Sequence, residues 1–289
     1  TLKLHLFKNR DLFLFGQPMN SADTKQEFSI TIPNLVNKMP DLRQIYPEEA
    51  ARWLFLDRFI SMGQLSEILE IGIDAFDIEK ILQELEIFIT NILSIPRVAS
   101  LVQRNAAYPL QMLFSSNVLL FRSNFLTDEN KTYKPCSIVN LRGRFPTYFY
   151  PLRNSPNWYE NEFFYTDDVC TPRWALVEAN SLNCTFQHPK QAKYIFCKRK
   201  KLPINSVKMK SITEEIYDRI IIQESLEEEF FDTNCNALTS TFYNKHSGSI
   251  HQLNITQKKS KIGIHRNNKF SRIKINRPYW TGFFPSIEY

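Results

Sequence analysis

Between Asp77 and Ile95 the chain reads DIEKILQELEIFITNILSI. Apolar residues at Ile78, Ile81, Leu82, Leu85, Phe88 or Ile89 and Ile92 recur at three- and four-residue spacing. That period gathers them on one face of a helix. Pro96 ends or kinks this helix, and a further helical segment runs to about Asn105. Upstream, PEEAARWLFLDRFISMG opens with Pro47, carries Glu48 and Glu49 in its first turn and has Gly63 past its end, so it reads as one helix with both termini marked. Its load of Trp53, Leu54, Phe55, Leu56, Phe59 and Ile60 places it in the core. QLSEILEIG reads as a short helix ended by Gly72. The N-terminal LKLHLF and FSITIP alternate apolar and polar residues as strands do, with Pro33 and Pro40 bracketing a loop.

From Lys134 the texture changes. CSIVNL, TYFYPL and WALVEA are short, β-branched or aromatic, and bounded by Pro, Asn and Asp, which predicts strands. FPTYFYPLRNSPNWYENEFFYTDD joins them as a Pro-rich loop. Residues 189–201 suit a helix. So does SITEEIYDRIIIQESLEEEFF, which opens on a capping box of Ser211 with Glu214 three residues on. The last fifty residues break into ALTSTFYN, IHQLNIT, KIGIH and FSRIKI, a hairpin pattern. The chain shows no internal repeat and no low-complexity linker. The expectation is an α+β fold, with a mostly helical N-terminal half packed on short strands and a β-rich C-terminal half carrying one long acidic helix. The change near residue 130 suggests two regions. Residues 1–130 are helix-rich with N-terminal strands, and residues 131–289 are α+β with basic C-terminal hairpins.

Composition narrows the function. With 43% hydrophobic and 23% charged residues, the chain is of ordinary globular type. It holds seven glycines, and neither GxGxxG nor GxxxxGK[ST] occurs, so the common phosphate-cradling loops are missing. Abundant Phe, Ile, Asn and Lys fit an AT-rich bacterial or viral genome. The five cysteines, Cys136, Cys170, Cys184, Cys197 and Cys235, are widely spaced without CxxC, and read as buried thiols in a reducing cytoplasm. The opening TLKLHLFKNRDLFLF is interrupted by charge too early for a signal peptide. The longest wholly apolar run, Val118 to Phe121, is far short of the ~20 residues a membrane helix needs, so no membrane insertion is expected.

Charge is unevenly laid out. Residues 190–210 carry net +8, residues 211–232 net −7 and residues 241–289 net +8, against net −3 for residues 1–189. Two readings compete. In one, the basic segments form a footprint for phosphates, using Lys198, Arg199, Lys200, Lys201, Arg266, Lys269, Arg272 and Lys274 with interleaved aromatics. In the other, the acidic helix neutralises basic neighbours within the fold, and the remaining charges are solvated or register a partner.

QLSEILEIGIDAFDIEKILQEL resembles a helix-turn-helix over about twenty residues. It departs from that pattern at Glu67 and Ile68. Its second helix carries Asp74, Asp77 and Glu79 against Lys80, which phosphates would repel, so a packed helix pair is expected. TDDVCTPRWALVEAN resembles the core of restriction-like nucleases, in which acids at Asp167 or Asp168 and at Glu178 would hold Mg²⁺. Asn180 stands where that family places its lysine. His5, His188, His246, His251 and His265 form no HExxH or His-x-His, so no metal or cofactor is expected. The terminus NRPYWTGFFPSIEY holds Tyr279, Trp280, Phe283 and Phe284. These fold back over the core or anchor a partner.

The leading expectation is a non-enzymatic structural or adaptor subunit of a larger intracellular assembly, such as a bacterial secretion machine or a phage or viral particle. It would act through contacts with other subunits or copies of itself. The alternatives are a nucleic-acid-binding protein and a divergent metal-dependent nuclease.

Overall fold

The computed structural model describes residues 39–150, 159–178, 182–183, 193–195, 197–198, 202–226, 235–244, 250–258, 261–266, 280–283 and 286–287. Their architecture is α+β. By its contacts the chain divides between Lys38 and Met39, and residues 39–289 form one unit. The predicted strands LKLHLF, FSITIP and FSRIKI lie outside the described residues.

The N-terminal helices are α1 (Pro47–Phe55), α2 (Met62–Leu69), α3 (Ile78–Leu93), α4 (Pro96–Gln103) and α5 (Ala107–Leu113). Helix α3 follows its sequence pattern closely. Asp77 caps it through the Lys80 N–H at 3.2 Å, and Ile81, Leu85, Phe88, Ile89 and Ile92 are buried. Pro96 turns the chain by 84° into α4. Among the described residues no single helix is long and apolar enough to cross a membrane.

The single helix expected over residues 47–63 is divided. Leu56 takes φ 55°, which ends α1 and sends the chain through a 3-10 turn, Leu56–Arg58. Phe59 and Ile60 then leave the helical path for the sheet: Phe59 bridges Leu119, and the Ile60 N–H donates to the Leu119 carbonyl at 2.9 Å. Ser61 starts α2 with a full capping box to Gln64. Gly63 is therefore an interior residue of a second helix and not the end of the first. Gly72 likewise does not end α2. Glu70 does, in the left-handed conformation at φ 52°, and the Thr127 hydroxyl donates to the freed Leu69 carbonyl at 2.7 Å.

The apolar run 118–121 is the centre of β1 (Asn117–Arg122), buried at every position. It pairs antiparallel with β4 (Arg173–Glu178), the WALVEA strand, from Asn117↔Glu178 to Arg122↔Arg173. This pairing spans the change of texture near residue 130. Between them lie a small ribbon of β2 (Phe125–Thr127) and β3 (Tyr133–Pro135), then α6 (Ile138–Arg144) and α7 (Phe163–Thr166). CSIVNL, expected as a strand, thus belongs mostly to helix α6, with Ile138 and Leu141 turned into the core. TYFYPL opens in a 3-10 turn, Pro146–Tyr148, and not in a strand. Proline at the first position of that turn, with its fixed φ, suits the helical start.

A four-stranded sheet runs β1-β4-β11-β6, and a five-stranded sheet runs β5-β10-β7-β8-β9. The remaining strands are β5 (Leu182–Asn183), β6 (Val207–Lys208), β7 (Cys235–Asn244), β8 (Ile250–Lys258), β9 (Lys261–Arg266), β10 (Trp280–Phe283) and β11 (Ser286–Ile287). The hairpin pattern of ALTSTFYN, IHQLNIT and KIGIH is realised as β7–β8–β9, all antiparallel. Residues 193–195 and 197–198, within the expected helix 189–201, are helical.

The long acidic helix is α8 (Ile212–Leu226). Every residue from Ile212 to Ile222 is buried. It packs against α2, α6, α7, β1, β7 and β8, so it is a central element and not a surface one. Trp174 joins α3 to the four-stranded sheet. Its indole N–H donates to the Ile81 carbonyl at 2.9 Å, and its ring stacks on Phe59 and meets Phe121 edge-on.

Candidate functional site

A helix buried all round must find partners inside the protein for each charge it carries, because an unpaired buried charge costs several kcal/mol. Helix α8 carries Glu214, Glu215, Asp218 and Arg219 within that buried stretch. The β1–β4 register supplies the first partners. Arg122 and Arg173 stand directly opposite one another, where two like charges on a ladder repel. Glu214 resolves the repulsion by lying against both, with Arg122 Nη1 at 3.4 Å and Arg173 in direct hydrogen bond. Its other oxygen accepts from the Ser211 N–H at 2.9 Å while its own N–H donates to the Ser211 hydroxyl at 3.2 Å. The capping box read from the sequence is therefore also a junction in an ion network.

One turn along α8, Asp218 accepts a two-pronged bond from Arg122, Nε at 2.9 Å and Nη2 at 2.8 Å. Lys210, itself buried, pairs with Glu215 and lies 3.2 Å from Asp218. Arg219 Nε donates to Glu215 at 2.7 Å. Burial pushes the Asp218 carboxyl up, but Arg122 and Lys210 together outweigh it and hold Asp218 below the usual carboxylate range. The Tyr217 hydroxyl donates to the Phe121 carbonyl and accepts from the Ser123 N–H, both at 3.1 Å. Burial raises its pKa far above that of a free phenol.

Asp168 sits at the rim of this network. It is half-buried and accepts from the Thr213 hydroxyl at 2.9 Å. Burial raises its pKa, with a further push from Glu214. Arg122, Arg173, Lys210 and Arg219 thus stand against Asp168, Glu214, Glu215 and Asp218, equal numbers of each sign.

The two acids considered for a metal site are not brought together. Asp168 lies near the Arg173 end of β4, by the start of α8. Glu178 lies at the opposite end of the same strand, about 17 Å along, where it accepts from Asn117 Nδ2 at 3.4 Å. Among the described residues no group of three or more His, Cys, Asp or Glu side chains is placed to hold a metal ion. A small cavity of about 30 Å³ beside Asn117 and Glu178, lined by Ile95, Val98, Phe114 and Ile287, has room for little more than a water molecule.

Of the basic candidates, Lys198 is exposed on a helical turn, and Arg266 ends β9 opposite Leu253. Arg199, Lys200, Lys201, Lys269, Arg272 and Lys274 lie outside the described residues. Of the terminal aromatics, Trp280 and Phe283 lie on β10, an inner strand held between β5 and β7. Tyr279 and Phe284 lie outside the described residues. The α2–α3 pair with helix-turn-helix outline exposes Glu67, Glu70, Asp74, Asp77, Glu79 and Glu86 against Lys80.

A different surface was not singled out from the sequence. Helices α1 and α5 are clamped together by the Phe55–Phe114 ring contact at 5.1 Å and by Gln111 Nε2 donating to the Trp53 carbonyl at 2.9 Å. Tyr46 and Leu56, at the two ends of α1, and Tyr108 and Met112, on α5, are exposed, Tyr108 by 70%. Tyr108 and Met112 are one helical turn apart and share a face of α5. No protein family, curated protein or solved structure matches this chain.

Proposed function

We propose that this chain is a non-enzymatic structural or adaptor subunit of a multiprotein assembly, docking through the face formed by α1 and α5. The observation that carries this reading is the exposure of Tyr108 and Met112 on α5, with Tyr46 and Leu56 at the two ends of α1, the helix against which α5 packs. Single exposed apolar side chains are ordinary on protein surfaces. Several on one rigid pair of helices are what an interface needs, because large side chains anchored on a fixed scaffold lose little freedom on binding. The buried charges of α8 are paired with Arg122, Arg173 and Lys210 inside the fold, and so do not contribute to this face.

The test is size and composition of the protein isolated from its own cell, as wild type and as Tyr108→Ser with Met112→Ser. Both positions are exposed, so the double variant is expected to fold with the stability of the wild type. A complex of fixed stoichiometry, present in the wild type and lost in the variant, supports the reading. Salt-sensitive binding of nucleic acid by both forms, falling by orders of magnitude between about 50 and 200 mM salt, would transfer the function to the basic segments.

A further inference from the structure

Cys136 and Cys170 are both fully buried and both unpaired. They lie on two extended segments joined by an antiparallel bridge between Ser137 and Val169. One step back on the first segment and one step forward on the second sets Cys136 opposite Cys170. The Cys170 N–H donates to the Cys136 carbonyl at 3.2 Å. This is one of the two bonds of a hydrogen-bonded antiparallel pair, the Cys136 N–H donating instead to the Asn124 carbonyl at 2.8 Å, and residues so opposed have Cα atoms about 5.5 Å apart. A disulfide accepts Cα separations of about 4.4–6.8 Å. Opposed residues of such a pair also project to the same side, and the two thiols are within hydrogen-bonding reach of each other.

We propose that Cys136 and Cys170 are a disulfide-forming pair that ties the start of α6 to the segment leading into β4 when the chain folds in the presence of an oxidant such as glutathione disulfide. One cysteine thiolate attacks glutathione disulfide, giving a mixed disulfide and releasing one glutathione. The second cysteine then displaces the remaining glutathione and closes the Sγ–Sγ bond. Two thiols are oxidised, one glutathione disulfide is reduced to two glutathione molecules, and the two thiol protons end on those products. Burial pushes the Cys170 thiol well up, and Cys136 beside it adds to the shift, so Cys170 in the folded protein is a poor nucleophile. The bond therefore forms during folding or opening, and once formed it is shielded from exchange.

The loop enclosed runs through α6, the 3-10 turn at Pro146 and α7, and bears the exposed Val139, Tyr150 and Phe163. Closing it restricts the unfolded chain and holds this surface segment to the core.

The full chain is unfolded under reducing conditions, refolded in glutathione buffers of graded ratio, quenched by alkylation and mapped by mass spectrometry. The proposal predicts that Cys136 and Cys170 are linked to each other as the main disulfide species. The oxidised protein should melt roughly 5–15 °C above the reduced one. Cys197→Ser should leave both results unchanged, and Cys170→Ser should remove both. Recovery of Cys136 and Cys170 as free thiols from the most oxidising buffer overturns the proposal. So does their preferential linkage to Cys184, Cys197 or Cys235. The wild-type peptide map decides between these outcomes even where Cys170→Ser folds poorly.

Discussion

Replacing Arg122 by Met removes the cation that holds Asp218 from two sides and reaches Glu214 at 3.4 Å. The side chain is fully buried, so no water can take its place. Breaking a buried pair by removing one partner costs about 3–5 kcal/mol. For a chain of this size each kcal/mol lowers the melting temperature by about 2–4 °C, so the expected loss is roughly 6–20 °C. Its pH dependence carries a sign. In the wild type Asp218 is held below the ordinary carboxylate value, so its contribution is present above about pH 4 and is lost as pH falls through the folded value. In Arg122→Met the burial that pushes this carboxyl up remains and its main opposing cation is gone. The folded-state pKa then rises, and the variant regains stability relative to wild type as pH falls from 7 towards 5. Urea unfolding of both proteins at several pH values measures the gap. Adding Asp218→Leu to Arg122→Met should recover most of the loss, since a buried pair exchanged for apolar residues is often near neutral. A single-variant cost below about 1 kcal/mol, or a gap that widens on acidification, would refute this reasoning.

Other perturbations follow the same logic. Ser61→Ala removes the capping box of α2 and should cost about 1 kcal/mol by urea unfolding. Leu56→Gly relieves a left-handed backbone at φ 55° and an exposed side chain, so it should leave stability unchanged or raise it by up to about 1 kcal/mol, whereas glycine at Asp57 should lower it. Asp168 has a raised pKa, so its carboxylate opposes folding once pH exceeds the folded value. Asp168→Asn, which keeps an acceptor for Thr213, should stabilise at pH 7 by less than about 1 kcal/mol, with the effect fading by pH 4. Trp174→Phe removes the indole bond to the Ile81 carbonyl, which keeps its helical bond, and leaves a smaller ring against Phe59 and Phe121, so it should cost about 1–3 kcal/mol, read from thermal melts.

The sequence was most legible where local chemistry and tertiary demand agree. Helix α3 has a clean apolar stripe and an Asp cap, and α8 has a capping box. Both formed as read. Legibility failed where tertiary contacts override a local pattern. Residues 47–63 look continuous because Phe59 and Ile60 are as apolar as a core helix requires, yet they serve the edge of β1 instead. The S-x-x-Q capping box of Ser61 and Gln64 was the available sign of a new helix. Residues 136–141 include the β-branched Ile138 and Val139, but two such residues do not separate a short strand from a buried turn of helix. The apolar stretch around Val118 was long enough to be a strand buried on both faces. The ion network was half legible. A run such as ITEEIYDRIII leaves no solvent face once its isoleucines are buried, so its charges must be paired internally. That the partners are Arg122, Arg173 and Lys210 depends on strand register and loop placement, which no local spacing encodes. The cysteine pair depends on the same long-range register.

The proposed role rests on docking of a protein partner at the α1–α5 face. Native mass spectrometry of the chain isolated from its own cell, wild type against Tyr108→Ser with Met112→Ser, tests it most directly. Docking at this face gives a complex of fixed mass for the wild type and the lone 34.1 kDa chain for the variant. A lone chain in both cases, or the same complex in both, would contradict it.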